Sequence, residues 1–417
     1  MQIHDMLNRL HALAIFVLAG AFSTPARAAT PVIAAGTRIS VRLATPTGSD
    51  ARFANTRISA IVTAPVLVDG RIAIAPGTTV WGRVTQTGRD TKFRHILQLT
   101  FDSLALGDIK IALGMRITGV DNAREFVRDD GLILGAPAVS VVRSRETWAL
   151  MMLGAFHPIA AAVLFAEARV QSHARAAPIR YDVGTDLSAQ FTRDITLPAW
   201  TIVTAPPAMS TIDSIRRRVD DWPLRAAALA GRLPADLLNV ALIGDSAVLT
   251  NAFTAAGWNF PERMSVHADF KTFVNAAIGR GYAHQPVSQL LLEGRPPDLL
   301  FQKVNNTFAK RHHVRLWRWS SQLDSLPLYL AGATHDVAVE FLTHRKHFTH
   351  RVDPAIDAER DKIVNDLWTA GCVAELSRVP RRIPNGLMLN DGRDAVVTDG
   401  MIAVIKLRAS CDVTSAH

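Results

Sequence analysis

Period-two alternation of apolar and polar residues governs the first third of this 417-residue chain. Ile39, Val41 and Leu43 alternate with polar partners, and the pattern recurs at Ile72 and Ile74, at Val80 and Val84, and at Leu97, Leu99 and Phe101. Successive side chains on a strand face opposite sides, so this alternation marks half-buried strands. Asp69-Gly70 and Pro76-Gly77 supply turn chemistry between them. Short strands at this spacing predict an all-β unit, a small barrel or sandwich, over residues 30 to about 143. Gly36-Thr37-Arg38-Ile39-Ser40 is echoed by Gly184-Thr185-Asp186-Leu187-Ser188. Residues 179–205 are therefore expected to return to the same β-unit or to form a copy of it.

Between these segments Trp148 to Ala166 is apolar apart from His157. Its length would allow one membrane span. However, His157-Pro158 stands mid-segment, where proline breaks a helix and histidine is costly in lipid. Strands on both sides of a single crossing could not share one domain. The expectation is an apolar helical hairpin at 147–167, packed on the protein or dipped into a membrane surface, with a true span as the alternative. Arg143, Arg145, Arg169 and Arg175 flank it and suit anionic headgroups.

The N-terminus reads as a signal peptide over residues 1–28. Arg9 gives the positive charge, Ala12 to Phe22 the apolar region, and Ala26-Arg27-Ala28 the cleavage site. The mature chain is then exported to the periplasm or cell envelope, with membrane association possible. There Cys372 and Cys411 meet an oxidising compartment and could pair; a buried free thiol is the alternative. The net charge of +9 comes from scattered Lys and Arg, with Arg216-Arg217-Arg218 and Arg381-Arg382 the short runs. No nucleic-acid motif accompanies them, so nucleic acid is not an expected partner. An anionic lipid or an envelope protein is.

The β-domain is expected over residues 30–210 and a linker with a short helix over 211–236. A second domain then fills 237–417. It opens with Leu238 to Gly244, an apolar run suited to a buried strand, and Asp245 or Ser246 caps a helix closed by Gly257. A second helix is expected at Val266–Ile278 and a third near Ala355–Ala370. Strands are expected around Leu290–Leu292, Leu299–Lys303, Val314–Trp319, Leu328–Ala331 and Val337–Phe341. Helices grouped with hairpin-connected strands predict an α+β fold with a largely antiparallel sheet.

Histidines, carboxylates and arginines concentrate between Arg311 and Asp361. With Arg311 to Trp319 as a strand, His313, Arg315, Trp317 and Trp319 share one face, and His312, Val314, Leu316 and Arg318 the other. Thr334, His335 and Asp336 follow small residues, as if a strand end presented an acid. Asp353-Pro354 reads as an N-cap followed by proline in the first turn. Ile356, Ile363, Leu367 and Ala370 make an apolar helix stripe that also carries Arg360. An arginine facing a core needs a carboxylate, and Asp336 and Asp353 are the expected partners. His344, His347 and His350 do not share a strand face, and no His-Glu-x-x-His or Cys-x-x-Cys motif is present. A hard cation on Asp336, Asp353 and Asp357 is the weak metal alternative. With no Gly-x-Ser-x-Gly elbow, Walker loop or dinucleotide fingerprint, acyl-transfer hydrolases, nucleotidases and dehydrogenases lose support.

These motifs resemble the LssY-like C-terminal domain family over roughly residues 238–379. The likeness is carried by Asn239 to Gly244, Gly294-Arg295-Pro296-Pro297-Asp298, His312 to Trp317, Ala333-Thr334-His335-Asp336, His350-Arg351-Val352-Asp353 and Asp357 to Asp361. The resemblance implies a bacterial cell-envelope protein and brings no catalytic residues with it. The N-terminal segment resembles the barrel of TrbI-type conjugation proteins.

The leading expectation is an envelope protein with a β-domain for attachment or assembly and an α+β domain that binds an anionic ligand. Arg311, Arg315, Thr334, Asp353 and Arg360 would hold the ligand. One alternative is a hydrolase acting on phosphate-containing lipid or glycan precursors, with His313 or His350 as acid/base and Asp336 as partner. Another is a structural interaction protein without catalysis.

Overall fold

The computed structural model describes residues 30–411, apart from 136–177, 199, 201–204, 229–233, 262–289, 308–309, 324, 343–346, 384–385 and 390–394. The signal-like N-terminus, the 147–167 insert and the helix expected at Val266–Ile278 lie outside the described residues. Among the described residues, no helix is long and apolar enough to cross a membrane.

The alternating strands close into a barrel. Strands β1 (Arg38–Leu43), β2 (Arg57–Val62), β3 (Thr79–Arg89), β4 (His95–Leu106), β5 (Ile109–Val120) and β6 (Asp186–Phe191) pair in the order β4-β3-β2-β1-β6-β5. Antiparallel pairing of β5 with β4 completes the ring. Val41, Ala60, Val80, Val84, Leu97, Leu99 and Phe101 fill the interior, and closure leaves no long unpaired edge. The echoed segments lie side by side, with Ser40 opposite Ser188. At Gly82 the β3–β4 register shifts, and a Cβ there would fall 2.0 Å from the Thr100 carbonyl oxygen, so this bulge admits only glycine.

The second domain runs through α1 (Ile212–Arg218), β7 (Arg225–Ala228), β8 (Pro234–Leu237), β9 (Val240–Ile243), α2 (Ser246–Ala255) and β10 (Leu290–Leu291). It continues with β11 (Leu299–Lys303), β12 (Arg311–Leu323), β13 (Leu326–Leu342), β14 (His347–Val352), α3 (Ile356–Thr369), β15 (Val373–Pro380) and β16 (Met401–Leu407). The main sheet has the order β11-β12-β13-β9-β16-β15, with β14 also on β13. Among the described strands of this sheet, only β9 and β16 pair in parallel.

Both faces of this sheet are covered, which is why β9 is apolar at every position. Val240 and Leu242 pack with Leu249 and Phe253 of α2 and with Ile363 and Leu367 of α3. Ala241 and Ile243 meet Ile215, Trp222, Ala226 and Leu290 on the other side. The stretch expected as a linker, 211–236, is therefore the cover of the second face. Its helix is there, but β7, β8 and β10 form a three-stranded sheet beside it. Strand β10 falls where one was expected, whereas β7 and β8, four residues each, were too short for alternation to reveal them.

Two expected strands are one: β13 runs unbroken through Ala333-Thr334-His335-Asp336. Small residues there mark close packing rather than a strand end, since a Cβ on Gly332 would meet Asp236 Cβ and the Leu237 carbonyl oxygen at 3.3 Å. Asp245 caps α2 as expected, accepting from the Val248 amide. Asp353 does not cap α3. It accepts from the Ala355 amide at 2.9 Å, and the helix begins at Ile356 with Ala355 as its N-cap. Just past the end of α3, Cys372 is bonded to Cys411.

Candidate functional site at the domain interface

The His/Arg face of β12 is buried from end to end, from Arg311 to Trp317. Register sets Arg311 opposite Asp336 and His313 opposite Thr334 on β13. Arg311 Nε donates to Asp336 Oδ2 at 3.0 Å, and His313 Nδ1 lies 3.5 Å from the same oxygen. His313 Nε2 and Thr334 Oγ1 are 2.5 Å apart, and Arg315 Nη1 donates to Asp236 Oδ2 at 2.6 Å. Arg311, His313, Thr334 and Asp336 thus do converge, but inside the fold, where carboxylates already meet the arginines. His350 lies in β14 with its backbone opposite Val339.

Arg360 is buried as expected, but neither Asp336 nor Asp353 is its partner. Its Nη1 and Nη2 donate to Asp399 at 2.7 and 3.1 Å, Nε donates to Asp361 at 3.0 Å, and Nη1 also reaches the Met401 carbonyl. The chain returns to this helix at Asp399, thirty-nine residues on, a contact no local spacing reveals. The weak metal candidates do not gather either. Asp336 serves Arg311, Asp353 the Ala355 amide, and Asp357 accepts from Thr398 Oγ1 and the Asp399 amide.

A denser constellation lies on the opposite face of β12 and β13, where the barrel meets the α+β domain. Glu359, Lys362 and Asp366 stand at i, i+3 and i+7 on one side of α3 and face the barrel. The barrel answers with Arg42 on β1 and Asp186 on β6, which are register partners, and with Asp121 in the turn after β5. Arg42 bridges the domains: Nε reaches Asp186 Oδ1 at 2.7 Å and Nη2 reaches Asp366 Oδ1 at 2.7 Å. Asp366 also accepts from Lys303 Nζ at 2.7 Å and Trp258 Nε1 at 3.0 Å, and Lys362 Nζ donates to Asp186 at 2.8 Å.

Beside this lattice, His312 is clamped. Its Nε2 is 2.7 Å from Asp121 Oδ2 and its Nδ1 is 2.7 Å from Glu359 Oε2. A neutral imidazole donates from one nitrogen only, and its lone pair would face the other carboxylate, so His312 carries both protons. Burial opposes that charge, but Asp121 and Glu359 outweigh it and lift His312 to about 9. His335, its register partner, stacks on it with ring centroids 4.1 Å apart and faces Asn122 Oδ1 at 3.0 Å. Burial and the neighbouring imidazolium hold His335 below its ordinary value.

Charge balance explains how such a seam stays buried. Arg42, Lys303, Lys362 and protonated His312 face Asp121, Asp186, Asp366 and Glu359, so the charges cancel one for one. Burial alone would raise Asp186 and Asp366, yet the cations hold both below the usual carboxylate range. Lys303 goes the other way: burial outweighs Asp366 and Asp186 and lowers it to about 8.

One edge of the seam opens into a cleft of about 870 Å³ between the domains, where Arg124, Arg180, Asn259, Asn305 and Asn306 join Arg42, Asp121 and Lys303. Amides fasten this region: Asn305 Nδ2 donates to the Asp121 carbonyl and Asn306 Nδ2 to Glu125, which also accepts from Tyr181. Among the described residues, none of the site residues expected from sequence lines the cleft. The signal that was available is His312 itself, a histidine on the core face of a strand, which requires a partner.

The sequence of the second domain matches a known family model, described as LssY C-terminus, across 179 positions. Residues 224–402 are similar to the LssY C-terminus family. The match starts earlier and ends later than the motifs alone indicated, taking in β7, β8 and Asp399. The LssY C-terminus match therefore includes Lys303, His312, His335, Glu359, Lys362 and Asp366, while Arg42, Asp121 and Asp186 come from the barrel outside it. No curated protein matches the chain. Among solved structures, ComB10 of the Com Type IV secretion system of Helicobacter pylori is similar at 13% identity, over 40% of this chain and 90% of that one, with a TM-score of 0.23. A likeness that slight carries neither fold nor function across.

Proposed function

We propose that this chain is an exported cell-envelope protein that binds an anionic, phosphate- or carboxylate-bearing ligand in the cleft between its barrel and its LssY C-terminus domain. The carrying observation is the cleft itself, about 870 Å³ and lined by Arg124, Arg180 and the amides of Asn259, Asn305 and Asn306. Arg124 and Arg180 hold Glu125 and Asp50 through part of their donor sets, and a guanidinium fork has five N–H groups. The anion-binding role moves here from Arg311, Arg315 and Arg360, whose charges are met by Asp336, Asp236 and Asp399 inside the fold. Export is supported by the signal-like N-terminus and by the Cys372–Cys411 bond, which persists in oxidising compartments. The barrel serves attachment or assembly in this reading.

Thermal-shift titration tests it, with sn-glycerol 3-phosphate as a soluble probe and phosphatidylglycerol vesicles as a membrane-bound one. Ligand at about a hundredfold its Kd adds about 2.7 kcal/mol to stability. The expected result is stabilisation by the soluble probe that is lost in Arg124→Ala/Arg180→Ala. Stabilisation by vesicles alone would move the site to a membrane-contacting surface, and no stabilisation by either would defeat the reading.

A further inference from the structure

We propose that Asp121, His312 and His335 form a divalent-metal site of zinc type, in which the barrel supplies one ligand and the LssY C-terminus domain two. One ligand atom from each of the three residues lies within 4.8 Å of the others. Ligand atoms that share one ion at about 2.0–2.2 Å stand roughly 3.3–3.6 Å apart, so binding draws these three atoms together and turns the stacked imidazoles of His312 and His335 toward a common point. The mixed nitrogen and oxygen set suits zinc and neighbouring transition metals rather than magnesium or calcium, which favour oxygen throughout.

Two further observations point to an ion. Glu359 lies behind His312, its Oε2 2.7 Å from Nδ1, so the ring presents Nε2 to Asp121. A carboxylate that fixes the far nitrogen is the usual outer support of a metal-bound histidine. Glu359 is also almost wholly buried at 3% exposure, and its Oε1 has no hydrogen-bond partner among the described residues. A buried carboxylate oxygen left without a donor is costly, and stronger local positive charge would offset that cost.

The exchange balances. An ion takes the place of the proton between His312 Nε2 and Asp121 Oδ2, that proton leaves to water, and the two atoms part from 2.7 Å to about 3 Å or more. Among the described residues, Lys362 Nζ, 3.5 Å from Asp121 Oδ2, is the adjacent cation that opposes an ion, and its shorter contact is to Asp186 at 2.8 Å. A dication in place of one proton leaves the seam one positive charge in excess. Three protein ligands leave a coordination position open, and Asp121 lines the cleft, so an anionic oxygen entering there would complete both the charge and the coordination. The metal site rests on the seam's own geometry and does not depend on the anionic-ligand reading.

The test is metal binding by the tag-free, chelator-treated full chain with no organic ligand present. Calorimetry with Zn²⁺ and Mg²⁺ and visible absorption with Co²⁺ are the readouts. The expected result is one equivalent of zinc per chain, no saturable magnesium binding, and the visible band of a low-coordinate cobalt site. Asp121→Asn and His335→Gln should each weaken zinc binding at least tenfold, and Glu359→Gln 10- to 100-fold. Arg360→Met, whose partners are Asp399, Asp361 and Asp357, should leave it unchanged. Melting curves separate lost ligation from lost fold in the variants. Failure of the wild-type chain to bind zinc would overturn the site irrespective of any variant. Undiminished zinc binding in folded Asp121→Asn/His335→Gln would overturn it as well. A chain that binds zinc but is not stabilised by glycerol 3-phosphate would keep the metal site and lose the anionic-ligand reading.

Discussion

Asp366 is the residue on which most of the seam converges. Almost fully buried, it accepts from Arg42, Lys303 and Trp258 at 2.7, 2.7 and 3.0 Å. Asp366→Asn keeps the shape but strands buried cations against one carboxylate too few. Breaking a buried pair from one side costs about 3–5 kcal/mol, so urea unfolding should show a loss of that size. The pH dependence has a definite sign. Asp186 and Asp366 are held below their ordinary values in the folded chain, so the stability they contribute is present above the unfolded carboxylate pKa near ~4 and lost as pH falls below it. Wild-type stability should therefore drop steeply below about pH 4, and Asp366→Asn should flatten that acid limb. An acid limb of unchanged slope in the variant would show that the Asp366 proton is not coupled to folding.

At the scale of the element, α3 reads differently on its two sides. The stripe of Ile356, Arg360, Ile363 and Leu367 was legible from helical period, and all four are buried. The barrel-facing row of Glu359, Lys362 and Asp366 has the spacing of an ordinary solvated face, and no local feature distinguishes it from one. Arg360 and Asp366 also predict different costs. The partners of Arg360 reach water, with Asp399 at 49% and Asp361 at 39% side-chain exposure. Arg360→Met leaves solvated carboxylates behind and gives up chiefly charged hydrogen bonds, about 1.5–3 kcal/mol. Denaturant melts should rank it milder than Asp366→Asn; the reverse order would mean that the Asp399 contact governs this end of the domain. At the helix's C-terminal end, the Cys372–Cys411 bond closes a loop of 39 residues. Chain-entropy reasoning gives about 3–4 kcal/mol for a loop of that length. Reduction or Cys372→Ala/Cys411→Ala should lower stability by that amount, read as a lower unfolding midpoint.

For the whole molecule, the seam is expected to make the barrel and the α+β domain one thermodynamic unit. Separating them would expose paired charges to water and break the amide contacts of Asn305 and Asn306 to the barrel. Calorimetry should show one cooperative transition in the wild-type chain and two in Lys362→Ala, where Asp186 and Asp121 lose a shared cation. Two transitions already in the wild type would show that the domains fold independently and that the seam is weak.

By itself the sequence determined the elements: the alternating barrel strands, the buried run of β9, the Asp245 cap, the α3 stripe and the need of Arg360 for a carboxylate. Each follows from the period of the local backbone and from the cost of burying charge, which neighbours in sequence suffice to express. Only the tertiary structure decided the partners. Asp399 rather than Asp336 or Asp353 holds Arg360, and Ala333 to Asp336 lie within a strand and not at its end. The constellation with chemical promise is drawn from positions as far apart as 42, 121, 186, 303, 312, 335 and 366. Whether a lysine or aspartate is solvated or buried depends on what covers it. In this chain the cover of one domain's charges is the other domain.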